Sequence, residues 1–179
     1  MPSHSITAMP STGPIPPDDP ARKLTVASVD DASVRHLAQA GGSYTILVSG
    51  DDTDGRYCLI DMLVPDGGGP PPHRHDFEEM FTLLEGELQF LFRGERTTIA
   101  APATVNIPAN APHAFKNVSG KPVHMLCMCT PAGQDEYFLE VADPIESRNS
   151  PLPVLSNEER AQRGQKARAP APKYRTEFL

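Results

Sequence analysis

Residues 67–86, GGGPPPHRHDFEEMFTLLEG, carry the side chains best suited to chemistry. His73 and His75 stand two apart, so an extended strand sends both imidazoles from the same face. Glu79 lies four further on and shares their parity if the strand continues. Neighbouring nitrogen and carboxylate donors suit one borderline divalent ion: iron, manganese, nickel, cobalt or zinc. His113, in PANAPHAFKN behind a proline-constrained turn, offers a fourth donor. An isolated HxH pair is most simply two solvated imidazoles. The carboxylate at i+4, the Gly/Pro loop ahead of the pair and the further histidine make a ligand set the stronger reading.

Other reactive side chains read more plainly. His4 and His36 have no partner spacing and are expected in a solvated arm or loop. His124, in the strand-like VHMLCMCT, can face either side of a sheet. Glu78 has the opposite parity to Glu79 and should point out as a solvated charge. Cys127 and Cys129 form a CxC on one strand face. Zinc sites generally need two such pairs, and only Cys58 remains elsewhere, so buried, inert core thiols are expected. Gly67-Gly68-Gly69 does not precede a helix and serves turn geometry instead of phosphate binding.

These residues need a frame. From Tyr44 to Thr130 short β-like runs recur between turn signals: Tyr44–Val48, Arg56–Val64, Met80–Glu85, Glu87–Arg93, Thr97–Ala100, Thr104–Ile107, His113–Val118 and Val123–Thr130. They are rich in Val, Ile, Thr, Phe and Tyr and show no sustained helical period, which predicts an all-β sandwich or barrel. Pocket walls would come from Phe81, Leu83, Leu88, Phe90, Phe92, Ile107, Phe115 and Met125, although each equally suits plain barrel core. A short helix is expected at Asp30–Gln39, stopped by Gly41-Gly42, and another at Asp135–Val141. Ser156 with Glu159 starts a capping box for a polar helix to Arg168. The closing KYRTEFL puts Tyr174, Phe178 and Leu179 on a polar tail, where they should dock on the barrel or on a second subunit.

Composition narrows the classes. The chain has 179 residues and a net charge of −7, which disfavours nucleic acid and anionic membrane surfaces as partners. No run approaches the length of a membrane span. The first twenty residues lack a basic segment followed by an apolar run, so no secretory signal is expected. Three cysteines, odd and sparse, point to a reducing, cytoplasmic setting. Six of the 20 prolines fall in residues 1–20, which has few large apolar side chains and reads as a mobile arm. The expected division is an arm at 1–22, a barrel domain at 23–143 with its core at about 44–131, and a C-terminal extension with a short helix at 144–179.

Two segments resemble the paired motifs of the cupin superfamily. Gly67, His73, His75, Glu79 and Gly86 fit G(X)5HXH(X)3–4E(X)6G at every position, and Pro108, His113 and Asn117 fit G(X)5PXG(X)2H(X)3N. Pro102 and Asn110 stand where the second motif has glycines, and Asn is the next best residue for a positive φ. The fifteen residues between the motifs, Glu87–Ala101, match the spacing of single-domain bacterial cupins. The motif segments, with TPAGQDEYFLEV and KYRTEFL, further resemble bacterial cupins similar to quercetin 2,3-dioxygenase. The resemblance implies a double-stranded β-helix (jelly-roll) barrel, one divalent metal at His73, His75, Glu79 and His113, and a homodimer. It also implies a metal-dependent dioxygenase-type oxidoreductase cleaving an aromatic or enolic small molecule, with Glu79 as catalytic proton acceptor. A metal-dependent isomerase or lyase, and a small-molecule-binding module without turnover, are the alternatives.

Overall fold

Period-two alternation of apolar side chains builds this molecule, and the computed structural model describes residues 13–179 of it. Residues 1–12 of the expected arm, with His4, lie outside the described residues. The strands are β1 (Arg35–Gln39), β2 (Gly42–Val48), β3 (Cys58–Val64), β4 (His73–His75), β5 (Glu78–Glu85), β6 (Glu87–Phe92), β7 (Glu95–Ala100), β8 (Ala103–Ile107), β9 (His113–Lys116), β10 (Val123–Thr130), β11 (Asp143–Ile145) and β12 (Thr176–Phe178). The helices are α1 (Gly50–Thr53), α2 (Gln134–Val141) and α3 (Asn157–Arg168). A seven-stranded sheet runs β11-β1-β2-β3-β10-β5-β8, and a five-stranded one runs β12-β4-β9-β6-β7. Every pairing is antiparallel. From β3 to β10 the chain passes back and forth between the two sheets, with only β6 and β7 consecutive within one, which makes the expected jelly-roll barrel.

Inward residues of both sheets fill the barrel. Ile60, Val64, Leu83, Leu88, Ile107 and Met125 are buried there, and Phe81, Phe90 and Phe115 form an aromatic cluster with centroids 5.3–6.2 Å apart. Such tilted and edge-on contacts each add about 0.5–1.5 kcal/mol beyond area burial. The capping box at Ser156 and Glu159 is present, and it starts α3 as the sequence predicts. The tail docks on its own barrel: β12 pairs with β4. Asn110 keeps the positive φ of the missing glycine, at 68°. Among the described residues no helix is long and apolar enough to cross a membrane.

One expected element is wrong. Residues 35–39 are not helical but form β1, between β2 and β11. Leu37 and Ala38 are buried in that strand, and Ala40 and Gly41 take φ of 49° and 74°. Two successive positive φ values make a tight hairpin turn into β2. The glycine pair that reads as a helix stop therefore closes a hairpin. His36 rides on β1, half-buried, with Nδ1 2.8 Å from Thr45 Oγ1, so it is not the solvated residue its isolation suggests.

Candidate metal centre

The two histidines of β4 face inward because a three-residue strand with buried–exposed–buried alternation leaves only Arg74 outside. β4 meets β9 at a single register pair, His73 opposite His113. On its other edge it pairs with β12, Thr176 opposite His75 and Phe178 opposite His73. The glycine loop ahead of it is bound to the second motif. Gly67 N–H donates to the Asn117 carbonyl (2.8 Å), and Asn117 N–H donates to the Gly68 carbonyl (2.9 Å). A Cβ on Gly69 would lie 2.1 Å from the Phe115 carbonyl oxygen, so only glycine lets this loop close on β9. Glu79 enters from β5 in the opposite sheet, opposite Cys129 on β10 and Ile107 on β8.

His73, His75, Glu79 and His113 meet with their donor atoms within 4.8 Å of one another, all four buried. Each imidazole is fixed by a backbone carbonyl. His73 Nδ1 donates to Pro71 O (2.9 Å), His75 Nδ1 to Phe77 O (3.0 Å) and His113 Nδ1 to Ala111 O (2.9 Å). A carbonyl only accepts, so the proton of each neutral ring lies on Nδ1 and the lone pair on Nε2. The Nε2 atoms of His75 and His113 both stand 3.1 Å from Glu79 Oε2. Such spacing suits atoms bound by one ion at roughly 2.1 Å each, and backbone-fixed rings are the usual support of histidine ligands. The donor set fits a divalent metal.

Charge follows from this arrangement. Burial opposes ionisation of Glu79, but the contacts with His113 and His75 outweigh it and hold the carboxyl well below the usual carboxylate range. Burial alone would lower His113, yet the Glu79 carboxylate raises it above the ordinary imidazole value. Burial, followed by the neighbouring His113, pushes His73 down to about 4. The second carboxylate oxygen turns the other way. Cys127 Sγ approaches Glu79 Oε1 at 3.3 Å and Cys129 Sγ at 3.8 Å. Contact with Cys129 pulls the Cys127 thiol down, but burial and the Glu79 charge outweigh it and push the thiol up to about 12. The cysteines are buried and free, as expected, and two of them also pack on the candidate ligand.

Glu78 points out of the barrel as its parity requires, but it is bound, not merely solvated. It accepts from Asn106 Nδ2 and from Ala109 N–H, both at 3.1 Å, and so pins the turn that delivers His113. His124 also faces outward, 2.5 Å from buried Asp61.

His73 and Glu79 line a cavity of ≈ 660 Å³. Of the eight wall candidates from the sequence, Phe81 and Phe115 line it; Leu83, Leu88, Phe90, Ile107 and Met125 are core, and Phe92 packs against the core. Sequence reasoning missed Tyr44, Gln134 and Phe138 on the wall, and the approach formed by Leu152–Leu155 and α3. β2 is buried at Ser43, Tyr44, Thr45 and Ile46 in succession, so it lacks the alternation that would have marked Tyr44 as inward.

Residues 60–129 match the Cupin domain family, Cupin_2. An uncharacterized protein of Methanocaldococcus jannaschii is 30% identical over 88 residues, covering 48% of this chain and 70% of that protein. Quercetin 2,3-dioxygenase of Bacillus subtilis is 21% identical over 141 residues, covering 73% of this chain. The chain spans only 42% of that enzyme's length. Among solved structures, the polyketide cyclase RemF from Streptomyces resistomycificus superposes with a TM-score of 0.54 at 20% identity, over 76% of this chain and 90% of that one.

Proposed function

The chain belongs to the cupin superfamily, and from that membership we propose that it is a metal-dependent dioxygenase-type oxidoreductase cleaving an aromatic or enolic small molecule. One observation carries the reading. Three imidazoles with Nε2 lone pairs and an ionised carboxylate cluster beside a cavity whose wall bears Phe81, Phe115 and Phe138. That volume lies in the range of small-molecule sites. The relative named for quercetin cleavage supports the same chemistry.

His73, His75, His113 and Glu79 would hold the ion. When bound, it supplies Lewis acidity that lowers the pKa of an enolic hydroxyl, and a redox-active metal adds a route for electrons to dioxygen. The protein does the rest. Phenyl faces orient a planar ring system, and burial of the cluster keeps bulk water from a reactive anion. Glu79 is held ionised, and its Oε1, turned away from the imidazoles, accepts the hydroxyl proton. The thiols beside Oε1 remain protonated and fix the carboxylate plane.

Oxygen uptake tests this directly, with protein loaded separately with iron, manganese, nickel or cobalt and given flavonols, catechols and diketones. Consumption of oxygen with at least one pairing is expected. No uptake with any pairing would discard the dioxygenase reading in favour of an isomerase, a lyase or a binding module.

A further inference from the structure

Two buried polar residues, Tyr44 and Gln134, stand on the cavity wall and belong to neither the ligand set nor the aliphatic core. Tyr44, on β2, is only 2% exposed, and its ring packs on Phe138 with centroids 5.1 Å apart. It lines the same cavity as Glu79 and Cys127, and burial pushes its hydroxyl up from the ordinary value and keeps it a neutral donor. Gln134 opens α2, is 7% exposed and also lines the cavity. Its Oε1 is buried and unpaired. Unpaired buried polar atoms cost stability and call for an explanation. Packing gives none: a phenylalanine would keep the contact with Phe138, and a leucine would fill the space of Gln134.

Both groups are uncharged. The charged side chains at the approach are already engaged: Arg163 pairs with Asp143 at 2.5 Å, Arg168 stacks over Phe178 at 4.8 Å, and Arg160 Nε donates to the Leu155 carbonyl at 3.2 Å. The ligand oxygens that Tyr44 and Gln134 would meet are therefore neutral ones, a hydroxyl or keto oxygen for the donor and a hydroxyl for the acceptor.

We propose that Tyr44 and Gln134 are specificity-determining residues, the Tyr44 hydroxyl donating to a neutral substrate oxygen and Gln134 Oε1 accepting from a substrate hydroxyl. The substrate is then an uncharged aromatic bearing hydroxyl or keto groups beyond the one that meets the His–Glu cluster. This rests on the reading that an aromatic or enolic compound occupies the cavity.

Zinc-loaded protein isolates binding from oxidation, because zinc has no redox chemistry. The probes are quercetin and 3-hydroxyflavone, which share the enolic group and ring system and differ in the remaining hydroxyls. Wild type should prefer quercetin by about tenfold or more in Kd. Tyr44→Phe and Gln134→Leu should each cut the preference to about threefold or less, with 3-hydroxyflavone unchanged. The ligand-free Tm of Gln134→Leu should hold or rise, because the change removes an unpaired buried polar atom, and that of Tyr44→Phe should hold, because the ring packing on Phe138 is kept. An undiminished preference in both variants, equal binding of the two probes by wild type, or a ligand-free Tm more than about 4 °C lower would each overturn the proposal while leaving the proposed function standing. Failure of wild type to bind either flavonol would instead remove the aromatic-substrate reading, and this proposal with it.

Discussion

Glu79 Oε2 stands 3.1 Å from His75 Nε2, while His75 Nδ1 is committed to the Phe77 carbonyl at 3.0 Å. A neutral ring so held aims a lone pair at a carboxylate, and two acceptors repel unless a cation lies between them. A proton or a metal ion satisfies the contact. His113 repeats the arrangement on the same oxygen, so one ion can relieve both contacts at once.

Proton and metal therefore compete, and the sign can be worked out from His113. Its folded value is raised above the ordinary 6.5. In metal-free protein its contribution to stability is thus full below about 6.5 and lost as pH rises through the raised value. Metal binding gains over the same interval, because the ligand must lose its proton. His73, at about 4, is already neutral there and does not compete. The rise in Tm on adding excess zinc should widen as pH climbs above about 6.5. A rise independent of pH would show that no proton is displaced from this site.

His73→Ala/His75→Ala should abolish metal retention. Both imidazoles come from one three-residue strand, and removing them leaves one nitrogen and one carboxylate, too few donors for a borderline ion. Elemental analysis after reconstitution and desalting is expected to fall from about one ion per chain to near zero. Equal metal in variant and wild type would refute the assignment.

Much of this centre was legible because strand parity is local. His73, His75 and Glu79 share parity, and although the strand breaks at Asp76-Phe77, β5 keeps Glu79 inward with Phe81 and Leu83. The tight turn at Asn110 followed from the conformational freedom of its side chain. What could not be read depends on contacts distant in sequence. β1 alternates poorly and was claimed by helix signals, because its pairing with β11 joins residues about a hundred positions apart. The cavity wall is completed by α2 and approached past α3, whose positions rest on contacts such as Tyr137 Oη donating to the Ala167 carbonyl at 3.0 Å. No period in SNEERAQRGQKAR announces that it stands beside a ligand cavity.

The outer face of the seven-stranded sheet predicts association. Leu59, Leu63, Met80, Leu126 and Met128 point away from the barrel and remain half-buried, an apolar row of the kind a partner surface covers. We propose a homodimer. Light scattering at micromolar concentration should give twice the 19.4 kDa chain mass; a value equal to one chain would reject it.

Glu79→Gln separates charge from shape. Its amide can donate to an Nε2 lone pair that the carboxylate repels, so the metal-free variant should fold and melt within a few degrees of wild type. Loss of the negative donor should weaken metal affinity by about 10–100-fold. At saturating metal, turnover of any substrate found by oxygen uptake should drop by about 10²–10⁴-fold, the usual worth of a positioned base. Retained turnover at full metal occupancy would remove Glu79 from proton transfer.

The C-terminus should matter to the metal although it supplies no ligand. β4 touches β9 at one register pair, so its other edge depends on β12, where Thr176 and Phe178 stand opposite His75 and His73. Leu179 N–H adds a bond to the Pro72 carbonyl at 3.0 Å, and the Phe178 ring lies 6.1 Å from that of His73. Arg74 and Glu177 also pair at 2.5 Å across the two strands, but both are about half exposed, so the pair adds at most about 1 kcal/mol. Deleting Thr176–Leu179 removes the ladder and the ring together, a loss of roughly 2–3 kcal/mol. For a chain of this size that is a fall of roughly 4–12 °C in Tm. Metal affinity should fall by about tenfold or more, because two of the four donors sit on the loosened strand. Glu177→Ala serves as the control and should change neither quantity appreciably. A truncated chain that melts lower yet binds metal as tightly as wild type would show that β9 and the glycine loop alone hold His73 and His75 in place.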